Sequence, residues 1–232
     1  MIIGIINAMQ KEHVQIQSLL GDRETVTKGR HSFVKGTLHG NTIVLAQSGI
    51  GKVNAAVGAL ELINYFQPDC LINTGVAGGI DASLHVMDVV VGDRVVYHDV
   101  DCGPENEAGQ VQGLPADYES NRKLFHCALA LQTDTNIRGG LICSGDQFIV
   151  DPRQLADIKR RFPAGMAVDM ESGAIAQVCY LYEVSFLSFR IISDIPGAEN
   201  HLDEYANFWD TMAEKSFRVT RTFLDHLPTD LK

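Results

Sequence analysis

Short, unbroken runs of apolar, largely β-branched residues recur along this chain, and each ends in a small polar cluster. MIIGIIN at 1–7, CLINTGVAGG at 70–79, GGLICSGDQFIV at 139–150 and SFLSFRIISD at 185–194 are mostly continuous in their apolarity rather than alternating. A strand of that kind has no solvent face, so both sides of the sheet it joins must be covered. Segments of helical spacing supply the cover. They lie at 10–21 (Val14, Ile16, Leu19 and Leu20, closing on Gly21), 52–66 (ended before Pro68), 122–131, 153–161 and 173–183. The expected fold is α/β: a single three-layer domain over residues 1–232, with a central mixed twisted β-sheet flanked by helices.

Other elements fit that frame. HSFVKGTLHGNTIVLAQSG alternates on both sides of His39, Gly40 and Asn41, which predicts an antiparallel hairpin. Strand-like runs flank Gly92 and Asp93, AVDME at 167–171 reads as a strand, and residues 102–121 read as a long polar loop. The last thirty residues place Phe208, Met212, Phe217, Val219, Phe223, Leu224 and Leu227 at mostly helical spacing, the pattern of one amphipathic helix from His201 onward.

Charge and cysteine usage narrow the partners. A net charge of -10, with no basic cluster longer than Lys159, Arg160 and Arg161, argues against nucleic acid or an anionic membrane as partner and for a small molecule. The five cysteines are dispersed and form no CxxC pair, so they read as reduced thiols in a cytoplasmic protein. No apolar run approaches the ~20 residues of a membrane span.

Open α/β sheets bind ligands beyond the carboxyl ends of their strands. Those ends carry Met9 and Glu12; Val76, Ala77 and Gly78; Asp146 and Phe148; Met170 and Glu171; Ser193 and Asp194. One acidic residue in such a place is ordinarily a helix cap. Several at one edge point to carboxylate chemistry. Nucleotide motifs fail: SGIGKV has Val53 where a P-loop needs Ser or Thr, and TGVAGGI is not GxGxxG. YHDVDC fits no zinc set, GxSxG is missing, and no metal or other cofactor is indicated. An acid, a base and a third carboxylate opposing a developing cation are what cleavage of a glycosidic bond requires.

At this level of detail the chain resembles a known family. MIIGIINAMQKE, SGIGKVNAAVGA, INTGVAGG, SGDQFI, AVDMESGAIAQVC and FRIISD, in this order, look like the 5′-methylthioadenosine/S-adenosylhomocysteine nucleosidases, a branch of the purine nucleoside phosphorylase superfamily. The resemblance implies that Glu12 activates water and that Asp194 protonates adenine N7. It implies that Glu171 holds the ribose hydroxyls with Met170 packed beneath the sugar, that Phe148 stacks on adenine while the Ile149 backbone reads its edge, and that Gly78 and Met9 line the site. Arg190 and Ser193 are expected to orient Glu12 and Asp194, with Arg190 keeping Glu12 charged; Asp169 is expected to make a structural hydrogen bond or serve as a cap. Val76 stands where relatives often have Ser, and Tyr205, Phe208 and Trp209 are candidates to close over the 5′ substituent. The family also implies a homodimer. A phosphorylase and a catalytically inert nucleoside-binding protein are the competing readings, and the preferred 5′ substituent stays open.

Overall fold

The computed structural model describes residues 1–29, 31–198, 201–208 and 213–231. Strands β1 (Ile2–Asn7), β5 (Cys70–Gly79), β8 (Ile137–Ser144), β9 (Gly165–Asp169) and β10 (Ser185–Asp194) fall on the continuous apolar runs and on AVDME. Helices α2 (Lys52–Phe66), α4 (Pro152–Arg161) and α5 (Ser172–Leu181) lie between them. Strands β3 (His31–Leu38) and β4 (Asn41–Gln47) form the expected hairpin. Its two-residue turn has His39 and Gly40 at φ 46 and 80, the left-handed pair whose twist matches the strands.

Five expectations need correcting. Helix α1 (Gln10–Gln17) stops short of Gly21, which instead opens β2 (Gly21–Lys28), an exposed strand at the edge of the sheet that pairs, among the described residues, with β3 alone. Its polar sequence, GDRETVTK, buries no face, so apolar periodicity gave no signal. Strand β6 (Val89–Tyr97) runs through Gly92 and Asp93 as one strand with a register shift there, and the long loop holds the two-residue strand β7 (Tyr118–Glu119). Helix α3 is Arg122–Leu129, and the C-terminal segment is two helices, α6 (His201–Asn207) and α7 (Ala213–Asp225). Trp209 and Met212 lie outside the described residues.

The sheet is mixed, as expected, and part of it closes on itself. β5 pairs with β10 along one edge over most of its length; β10 continues to β6, then β8, then β9, and β9 returns to β5 at Gly78 and Gly79. β1 shares that second edge of β5, but only over Cys70 to Asn73. Residues 74–77 therefore face a gap where β1 has left and β9 has not yet joined. Backbone groups in such a gap are free of the ladder and must find other partners.

Strand alternation splits the core in two. Ile3, Ile5, Ile72, Val89, Val91, Leu187, Phe189 and Ile191 pack against α1, α3 and α7, whereas Leu71, Val90, Phe186 and Ile192 pack against α2 and α5. Both faces are covered, as continuous apolar strands demand. On the second face β10 also carries Ser188 and Arg190, both buried. Polar groups there need partners in the adjoining layer.

Candidate active site

One cavity of about 380 Å³ opens at the gap in the sheet. Eleven residues that the sequence nominated line it: Met9, Glu12, Val76, Gly78, Phe148, Ile149, Met170, Glu171, Arg190, Ser193 and Asp194. Of the three candidates for the 5′ end, Tyr205 lines the cavity, Phe208 is buried in the core and Trp209 is outside the described residues. Asp146 is elsewhere. Its carboxylate accepts the Lys52 N–H at 2.7 Å at the start of α2, the ordinary capping role of an acid after a strand.

Glu12 sits in the first turn of α1, where its carboxylate accepts the Met9 N–H at 3.4 Å. It also accepts from the Val76 backbone, one of the groups freed by the gap. Burial raises its pKa to about 7, against the pull of Arg190, with Glu171 adding to the rise. The expectation that Arg190 keeps Glu12 fully charged is thus too simple. Arg190 Nη2 lies 2.5 Å from Asp169 and 3.8 Å from Glu171, and it also donates to the side chains of Asn73 and Ser172. One guanidinium serves several carboxylates, so desolvation of Glu12 is only partly offset.

Space around this cluster is tight. A Cβ on Gly75 would stand 2.7 Å from Arg190 Nη1 and 3.0 Å from Glu12 Oε1, so glycine is needed for both groups to approach the strand. Asn73, fully buried, uses its Nδ2 to reach the Ile6 carbonyl at 3.0 Å where β1 and β5 part. Sequence reasoning missed Asn73; a buried Asn at a strand split has no signature in one dimension.

Glu171 follows β9 and is buried beside the N-terminus of α2. Gly51, the residue before that helix, donates its N–H to Glu171 Oε1 at 3.1 Å. Thus SGIGK does bind an acid with its backbone, although the acid is a side chain of the same protein and not a phosphate. Burial raises the Glu171 pKa, Arg190 opposes the rise and Asp169 reinforces it. Asp169 caps α5 through the Ser172 N–H, as expected, and adds the Arg190 ion pair.

Asp194 is only 2% exposed. A register shift between Ile192 and Asp194 against β5 makes Ser193 an extra residue at the strand end, which turns Ser193 and Asp194 toward the same cavity. The Ser193 hydroxyl donates to Asp194 Oδ1 at 2.5 Å. His201 Nε2 lies 2.9 Å from Oδ2, close enough for strong electrostatic contact, though not aligned as a regular hydrogen bond. Burial raises the Asp194 pKa; Ser193 and His201 pull it down, and Glu204 pushes it up. The cavity therefore holds two carboxyl groups whose protonated forms are favoured by burial, one on α1 and one on β10.

All five cysteines are free, and no group of His, Cys, Asp and Glu suited to a metal ion occurs among the described residues. No described helix is long and apolar enough to cross a membrane.

The fold that carries this carboxylate-lined cavity belongs to a known class. The family model for the Phosphorylase superfamily matches residues 2–225. The 5′-methylthioadenosine/S-adenosylhomocysteine nucleosidase of Halalkalibacterium halodurans is 42% identical over 228 residues, 97% of this chain and 98% of that one. The nucleosidase of Neisseria meningitidis in complex with methylthio-immucillin-A has a TM-score of 0.91 at 36% identity, covering 97% of this chain and 99% of that chain. That of Colwellia psychrerythraea 34H in complex with adenine has a TM-score of 0.90 at 37% identity, covering 98% and 96%. Within the phosphorylase superfamily, the chain belongs to the 5′-methylthioadenosine/S-adenosylhomocysteine nucleosidase family.

Proposed function

We propose that this protein hydrolyses the N-glycosidic bond of 5′-methylthioadenosine and S-adenosylhomocysteine, releasing adenine and the 5′-thioribose product. One observation carries the reading beyond family membership. Among the described residues lining the cavity, the acids Glu12, Asp169, Glu171 and Asp194 are accompanied by a single Lys or Arg, Arg190, and that cation is engaged by Asp169 and Glu171. A phosphate entering there would meet carboxylates without a free cation, so water is the favoured nucleophile.

Glu12, with its pKa near 7, is the general base that takes a proton from water as it attacks the anomeric carbon. Asp194, whose pKa is raised by burial, is the acid that protonates N7, so that the purine leaves neutral as the C–N bond breaks. Glu171 binds the ribose hydroxyls and opposes the charge of the oxocarbenium-like transition state, with Met170 beneath the ring. Phe148, 45% exposed, offers an aromatic face for adenine, and the backbone of Ile149 reads the edge of the base. Met9, Val76, Gly78 and Tyr205 shape the rest of the pocket, and Ser193 orients Asp194.

The reading extends to a cytoplasmic homodimer acting in methionine salvage, folded as one domain. The exposed Val53 and Val57 in the first half of α2 support a partner copy.

Adenine release from both substrates, with and without phosphate, tests the assignment in the wild type and in Glu12→Gln and Asp194→Asn. Phosphate-independent release, lost in both variants, is expected. Formation of a ribose 1-phosphate would replace hydrolysis by phosphorolysis, and binding without release would leave an inert nucleoside binder.

A further inference from the structure

Phe148 and Asp194 come from different parts of the chain, one on the loop after β8 and one at the end of β10, yet one buried side chain touches both. His201, 4% exposed, lies 2.9 Å from Asp194 Oδ2 and stacks on the Phe148 ring at 5.5 Å between centroids and 22° between planes. It is not among the residues lining the cavity, so whatever it does is done through those two. We propose that His201 is a positioning residue for catalysis, fixing the Asp194 carboxyl and the Phe148 ring relative to each other so that base stacking and proton donation occur in one geometry. The inference rests on the reading of Asp194 as the acid and Phe148 as the base platform.

The rest of α6 supports it. His201, Glu204 and Tyr205 are spaced i, i+3 and i+4, the spacing of a single helix face. Glu204 Oε2 accepts the N–H of Ile195, the residue after Asp194, at 3.1 Å, and Tyr205 meets the Phe148 ring edge-on at 5.2 Å and 61°. Three consecutive contacts of one short helix thus converge on the acid, its backbone and the aromatic platform. Ser193 holds the other Asp194 oxygen, so both oxygens are restrained. Once the proton has left, the Ser193 hydroxyl is the donor to one oxygen of the remaining carboxylate and the His201 ring is the polar group beside the other.

Kinetics of His201→Phe and His201→Gln separate positioning from mere packing. His201→Phe keeps a ring against Phe148 and removes the polar contact. Its kcat should fall about 10- to 100-fold, the cost of a misplaced acid, with KM changed less than about threefold. Among the groups facing Asp194, His201 pulls its pKa down and Glu204 pushes it up, so losing His201 should move the alkaline limb of kcat to higher pH, and Glu204→Gln should move it lower. His201→Gln restores a donor without a ring and should regain part of kcat while raising KM. A His201→Phe enzyme with wild-type kcat and an unmoved alkaline limb would overturn the inference; so would equal losses in both variants that follow a lowered Tm with no change in pH profile. An active Asp194→Asn enzyme would overturn the underlying reading as well, whereas an inactive one beside an unaffected His201→Phe overturns the inference alone.

Discussion

Replacing Glu12 by Gln should abolish activity and, at pH 8, make the ligand-free protein more stable. The carboxyl titrates near its ordinary 4.5 in the unfolded chain and at about 7 in the folded one, chiefly because burial disfavours its charged form. A carboxyl whose folded pKa is raised costs nothing below the unfolded pKa, where both states hold the proton. As pH rises from 4.5 to 7 the unfolded state ionises first, and stability falls through that window and then levels off. The rise from 4.5 to about 7 corresponds to about 3 kcal/mol at pH 8 and to under ~1 kcal/mol at pH 5. Gln carries no charge at either pH and keeps an oxygen for the Met9 and Val76 amides. Urea unfolding followed by circular dichroism should therefore give a gain of up to about 3 kcal/mol for Glu12→Gln at pH 8, with a Tm higher by up to ~6 to 12 °C, and little gain at pH 5. A variant less stable than wild type at pH 8, or one equally stabilised at both pH values, would refute the account of Glu12 as a desolvated carboxyl held partly ionised.

Other outcomes follow from the same geometry. The acidic limb of kcat/KM should have its midpoint near 7, because the base must be ionised, and Glu171→Gln should move it to lower pH by removing a charge that raises the Glu12 pKa; a limb near 4.5, or one that Glu171→Gln leaves in place, would contradict the assignment. Gly75→Ala should lower kcat by about tenfold or more, since its Cβ must displace Arg190 or Glu12 by several tenths of an ångström; a fully active variant would show that the approach of these groups to the strand is unimportant. Arg190→Met leaves Asp169 and Glu171 buried without their counter-ion and should destabilise the fold by about 3 to 5 kcal/mol at pH 7, measured by urea unfolding, with part of the loss recovered near pH 4 as carboxylates protonate.

Much of the site was legible because its residues lie where strands end. Glu12, Glu171 and Asp194 stand beyond continuous apolar runs, so their clustering follows once the runs are taken as neighbouring strands. Which acids share the cavity was less legible. Asp146 follows a strand in the same way as Asp194, yet it caps α2 while Asp194 enters the pocket through a bulge at Ser193. A capping acid and one that enters the pocket have the same local sequence environment, and the register of β10 against β5 is what separates them. The partners of Arg190 were likewise out of reach: Asn73, Asp169 and Ser172 come from three separate segments. His201 was passed over because, in sequence, it is one polar residue at the start of an amphipathic segment.

By itself, then, the sequence determined that the sheet is covered on both faces, roughly where most strands and helices lie, and which carboxylates stand near strand ends, because these depend on apolar periodicity and local propensity. Tertiary structure alone decided that β9 returns to β5 and parts it from β1, that the gap frees the Val76 amide for Glu12, and that Glu12 titrates near 7. Those properties arise from long-range pairing, and from a desolvation that has no value until the surrounding chain has closed over the charge.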